Sequence, residues 1–128
     1  MLEGAIQNPS NPRHCMQLDP VGQTLRIHFD DLLVAESDQA MRMLEVGKRA
    51  YAPQYYIPRH DVRVALTRTA RSTHCPLKGD ASYFSIDGAG GAEEIGWSYE
   101  TPLDFAAQLS GHLAFDLRRV AITIDAAR

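Results

Sequence analysis

The chain has 128 residues, 45% hydrophobic and 23% charged, which is enough for one ordinary domain whose core needs neither a metal nor disulfides. A formal charge of -3 argues against a general nucleic-acid or membrane-surface binder, since both need surplus positive charge. No apolar run approaches the roughly 20 residues that span a bilayer.

The first residues lack the basic start and apolar core of a signal peptide, and only Cys15 and Cys75 are present, so a reducing cytoplasm is the expected setting. Residues 1–20 carry several prolines and Asn/Gln residues and read as a partly irregular N-terminal arm. Residues 21–128 are expected to form a single mainly β domain.

Leu25, Ile27 and Phe29 alternate with Arg26 and His28, the pattern of a strand with one buried face. Asp30-Asp31 makes a turn, and Leu32 to Glu36 returns as the hairpin partner. Ser37 to Val46 fits either a short capped helix or a strand carrying Met41, Met43 and Glu45. Strand is preferred, because so short a segment ended by Gly47 makes a marginal helix. Pro53 and Pro58 bracket Gln54 to Ile57, a segment suited to the ends or edge of a sheet. Arg59-His60-Asp61 is a polar interruption before Val62, Val64 and Leu66 resume the alternation. Arg68 to Ser72 has no periodicity and reads as a loop.

Ala81 to Ile86 is predicted as a strand with Tyr83 and Phe84 on opposite faces, followed by a glycine-rich turn over residues 87–91. Residues 92–99 return. Thr101-Pro102-Leu103-Asp104 has the cap, proline and acid of a helix start, and Gly111 ends that helix after about two turns. Leu113 to Phe115 and Val120 to Asp125 close the chain. Short connections favour antiparallel pairing, so the expected fold class is mainly β with one short helix.

Reactive side chains concentrate in Thr73 to Ser85, THCPLKGDASYFS. Five basic residues between Arg59 and Gly79 face Asp61 alone, a local positive segment in an acidic protein that suits a small anion. Cys75, beside His74 and near Lys78, is a candidate nucleophile or redox thiol; the plainer reading is a small buried residue at a turn. His74 and Cys75 point to opposite sides of an extended segment, so His60 or His112 would serve better as a base. Arg59 and Lys78 are the candidate anion ligands, although most such residues are solvated surface charges. Tyr83, Trp97 and Tyr99 either line a pocket or fill the core. Asp61, Glu93 and Glu94 offer general acid or base groups without a specific spacing.

There is no Walker A sequence, no Cys-x-x-Cys pair and no carboxylate pair suited to magnesium beside a nucleotide. The two His-Cys dipeptides, His14-Cys15 and His74-Cys75, are awkwardly spaced for tetrahedral zinc. No metal or other cofactor is expected.

Four blocks in order, YYIPRHDV (Tyr55 to Val62), THCPLKGDASYFS, WSYETP (Trp97 to Pro102) and GHLAF (Gly111 to Phe115), resemble the family known as domain of unknown function four-two-seven, also labelled nucleotidyltransferase family nine. The resemblance covers Leu25 to Asp125. It implies a mainly β domain similar to the β-tent or Mss4-like folds without their zinc-binding cysteine pairs. By position it marks Tyr56, Pro58, Arg59, Asp61, Thr73, His74, Cys75, Pro76, Lys78, Gly79, Tyr83, Trp97 and Tyr99.

Two functional expectations follow. In the first, Arg59, Lys78 and His74 hold a small anionic or nucleotide-like ligand in a pocket, with Trp97 and Tyr83 packing on its planar part and Asp61, Tyr56 and Tyr99 as further ligand-binding residues. In the alternative, Cys75 serves a thiol-dependent enzyme or redox protein with His74 beside it. Neither nucleic acid nor a membrane is an expected partner, and edge strands leave room for a homodimer.

Overall fold

A computed structural model describes residues 5–87 and 94–126. The alternation at Leu25 does give a hairpin: β3 (Leu25–Phe29) and β4 (Leu32–Ser37) pair across Asp30, whose φ of 51° makes the turn. With β11 (Ala121–Ile124) beside β3, they form a three-stranded sheet.

The remaining strands are β1 (Ile6–Asn8), β2 (Asn11–Pro20), β5 (Met41–Val46), β6 (Gln54–Pro58), β7 (Leu66–Cys75), β8 (Gly79–Ile86), β9 (Glu94–Ser98) and β10 (His112–Phe115). They form an eight-stranded sheet in the order β1-β2-β5-β6-β10-β9-β8-β7. Every named pairing is antiparallel. The mainly β class is therefore as expected, and Met41 to Val46 is a strand.

Successive residues of a strand project to opposite faces, and the large sheet uses both. Ile57, Phe84, Ile86, Ile95, Leu113 and Phe115 pack with Leu25, Ile27 and Val34 into an apolar core shared with the small sheet. On the other face Tyr56, Ala81 and Ala114 pack with Met16, Met43, Leu77 and Tyr99. Tyr83 and Phe84 do go to different faces.

Three expectations are corrected. Residues 6–8 and 11–20 are strands of the large sheet, not an arm. Pro12 and Pro20 lie near the ends of β2, so its middle keeps the amide donors that pairing with β5 requires, and Met16 is buried. The segment after Thr101 is a 3₁₀ stretch, Asp104–Leu109, kinked at Ala106 and without a side-chain cap. Its hold comes from burying Ala106 and Leu109 against the second core, which leaves no need for regular α geometry. Arg68 to Ser72 belongs to β7, hidden from periodicity by a bulge against β8. The polar interruption Arg59–Asp61 is a 3₁₀ turn. Most of the glycine-rich turn expected over 87–91 falls outside the described residues, as does Glu93.

Candidate functional site

Register across four strands places a row of side chains on the second face of the large sheet. Tyr56 on β6 is opposite Ala114 on β10, Ala114 is opposite Trp97 on β9, and Trp97 is opposite Tyr83 on β8. Alanine in the middle leaves room for the large rings on either side. Tyr83 and Trp97 have centroids 6.5 Å apart at 43°, a tilted aromatic pair. Gly96, next to Trp97, is required by close approach: a Cβ there would lie 2.7 Å from the Ala114 carbonyl oxygen. Tyr56, Tyr83, Gly96 and Trp97 line an open cleft of about 690 Å³.

The β7–β8 turn delivers a cation beside that row. The Lys78 amide donates to the Cys75 carbonyl, and the Lys78 carbonyl accepts from the Leu103 amide. Gly79 takes φ +113° and sits close to Pro102 and Leu103, a backbone position closed to other residues. Lys78, only 7% exposed, donates from Nζ to Oε1 of Glu45 at 2.7 Å and lies 5.6 Å from the Tyr99 ring centroid. Oε2 of the same carboxylate meets His14 Nε2 at 2.8 Å, and His14 Nδ1 is 3.3 Å from Asn8 Nδ2. The expected arm thus supplies part of the cleft.

Burial pushes the Glu45 carboxyl up, but the Lys78 charge and the hydrogen bonds from Lys78 and His14 outweigh it and hold the group below the usual carboxylate range. Burial would lower Lys78, yet Tyr99 and Glu45 keep its ammonium above the ordinary value. The pair is therefore charged at neutral pH. Burial raises the phenols of Tyr56 and Tyr99 well above the tyrosine range. The Trp97 indole opposes the rise at Tyr56 without reaching hydrogen-bonding geometry, and the Tyr56 hydroxyl is buried with no partner.

The rim is basic. Arg71 lies 4.2 Å over the Tyr83 ring and pairs with Glu94 at 3.0 Å. Arg118 grips Asp116 through two bonds of 3.1 Å, and Arg119 approaches the same carboxylate at 3.5 Å. Among the described residues the guanidinium groups of Arg71, Arg118 and Arg119 line the cleft, and their planar forks suit an anion.

Of the side chains singled out by sequence, Tyr56, His74, Cys75, Lys78, Tyr83, Trp97 and Tyr99 all line the cleft. Arg59 and Asp61 do not. Arg59 lies 5.1 Å from the Phe84 ring centroid, toward the first core, and Asp61 accepts from Ser37 Oγ at 2.5 Å. His74 Nδ1 is 2.8 Å from Asp80 Oδ1, its cross-strand neighbour, so its ring is engaged within the hairpin. His60 pairs with Asp61, and His112 Nδ1 with the Ser110 carbonyl; neither lines the cleft. Cys15 and Cys75 are both free thiols. Among the described residues no His, Cys, Asp and Glu group is arranged to hold a metal, and no helix is long and apolar enough to cross a membrane.

Glu45, His14, Arg71, Gln54 and the Asp116–Arg119 stretch were not singled out as ligand-binding residues. Glu45 did leave a signal, since it continues the Met41, Met43 face of a strand with a carboxylate where an apolar residue belongs. His14 left none, because only the fold brings β2 beside β5.

The two antiparallel sheets make this a mainly β domain with an open cleft on one sheet face. Residues 17–126 match the model of the family described as Domain of unknown function (DUF427), and the chain belongs to that family. No curated protein matches it.

Proposed function

We propose that the cleft binds a small anionic or nucleotide-like ligand, with its planar part against Trp97 and Tyr83 and its charge at the arginine rim. The observation that carries this reading is the shared cleft: an aromatic row, a buried ion pair and a basic rim line one hollow. The rim is the better anion anchor than Lys78, because its arginines, though paired with Glu94 and Asp116, are exposed, whereas Lys78 is buried against Glu45 at 2.7 Å. Arg71 stacked on Tyr83 joins the two halves, cation above and ring below.

Native mass spectrometry of the purified chain against a nucleotide and metabolite panel tests this. A bound mass that is lost in Trp97→Ala and weakened in Arg71→Ala is expected. Finding no ligand in the whole panel would contradict the reading.

The thiol alternative draws support from Cys75 lining the same cleft. It is weaker, because His74 is held by Asp80 and no other histidine singled out as a base reaches the site. Iodoacetamide modification of Cys75 at neutral pH, compared with the unfolded chain, decides it: only a faster rate in the folded protein favours catalysis.

A further inference from the structure

Two polar atoms of β6 have no stated use. Tyr56, with 0% of its surface exposed, carries a hydroxyl without a hydrogen-bond partner, and the Gln54 side-chain carbonyl is likewise buried and unpartnered. Buried polar groups are nearly always paired, because an unpaired one destabilises the fold. These two are spaced two residues apart on one strand, so they project to the same face, and both residues line the cleft. Gln17 has a buried unpartnered carbonyl as well, but alone and beside a different, apolar groove. Among the described residues, it is at the cleft that a buried unpartnered hydroxyl and a buried unpartnered carbonyl stand on one strand face.

We infer that Tyr56 and Gln54 form a recognition edge for a planar ring bearing adjacent C=O and N–H groups, a cyclic amide or imide, whose anionic substituent reaches the arginine rim. This rests on the cleft being a ligand site, as proposed above. The phenol, kept neutral by burial, donates to the ring carbonyl, and the Gln54 carbonyl accepts from the ring N–H. Trp97, partly exposed and near enough to the Tyr56 phenol to oppose its rise, lines the same cleft. A shift of that ring admits the ligand and stacks on it. As the chain's single tryptophan, it also reports the event.

The test is a Trp97 fluorescence titration of the full chain with three probes: orotate, which has both the imide and a carboxylate, uracil, which lacks the carboxylate, and benzoate, which lacks the imide. Orotate is expected to bind at least about tenfold tighter than either. Tyr56→Phe should weaken orotate by about tenfold, leave benzoate unchanged, and melt without ligand no lower than the parent, since the lost hydroxyl had no partner. Benzoate binding as tightly as orotate would overturn the inference while leaving the cleft reading intact. So would an orotate affinity untouched by Tyr56→Phe, or a melting point lowered by several degrees, which would reveal an internal partner. If the metabolite panel yields a ligand but orotate does not bind, the recognition edge is wrong; if nothing binds, both readings fall.

Discussion

The two faces of the eight-stranded sheet are built from the same strands by alternation, yet they differ in what they bury. One face closes on the three-stranded sheet with the apolar side chains of Leu25, Ile27, Ile57, Leu113 and Phe115. The other buries Lys78 against Glu45 and leaves Tyr56 unpartnered beside an open cleft. An apolar face supplies stability at little risk, whereas buried charges and unpaired hydroxyls cost stability unless something else answers them. The contrast supports the proposal that the second face serves binding.

Substitutions on each face should separate these roles. Phe115→Ala, at 1% exposure on the closed face, should cost about 3–5 kcal/mol in urea unfolding and leave the affinity of the remaining folded protein unchanged. Lys78→Met on the open face should cost about 3 kcal/mol, because it strands the Glu45 carboxylate. The double variant Lys78→Met/Glu45→Gln should be less destabilised than the single one, since no uncompensated charge is left. Equal losses would mean that the pair is not coupled.

Gly96→Ala, which drives a Cβ against the Ala114 carbonyl, should cost about 1–3 kcal/mol and disturb Trp97 fluorescence. A silent substitution would show that β9 and β10 are not so closely opposed.

Acid should unmake the open face first. The Glu45 carboxyl ionises more readily in the fold than its ordinary value of 4.5, so its contribution is present above that pH and is lost as pH falls through the folded value. Lys78 is shifted upward from 10.5, so its contribution holds below that pH and is lost as pH rises through the folded value. The melting temperature of the parent should therefore drop in acid more steeply than that of Glu45→Gln. Parallel acid limbs would sink this assignment. The smallest effect is expected at His74→Ala, less than about 0.5 kcal/mol, because the His74–Asp80 pair is exposed.

Much of the closed face was legible in the sequence because it repeats with period two: Leu25, Ile27 and Phe29 announce β3, and Leu113 with Phe115 announces β10. The open face was harder to read. Lys78, Trp97 and Tyr83 stood out by residue type, but their common cleft depends on register across β8, β9 and β10, which no local pattern encodes. Arg59 shared the positive segment with Lys78 and yet sits toward the other core, since linear charge density does not say which face a side chain takes. The pairing of His14 with Glu45 crosses 31 positions and needed the folded sheet to be seen.

The two-faced account meets its most direct test in amide and indole chemical shifts of the labelled chain during titration with the metabolite panel. It predicts shifts at the Trp97 indole, Gln54, Tyr56 and Arg71, with Leu25, Ile57 and Phe115 unmoved. Shifts centred on the closed face, or none with any compound, would contradict it.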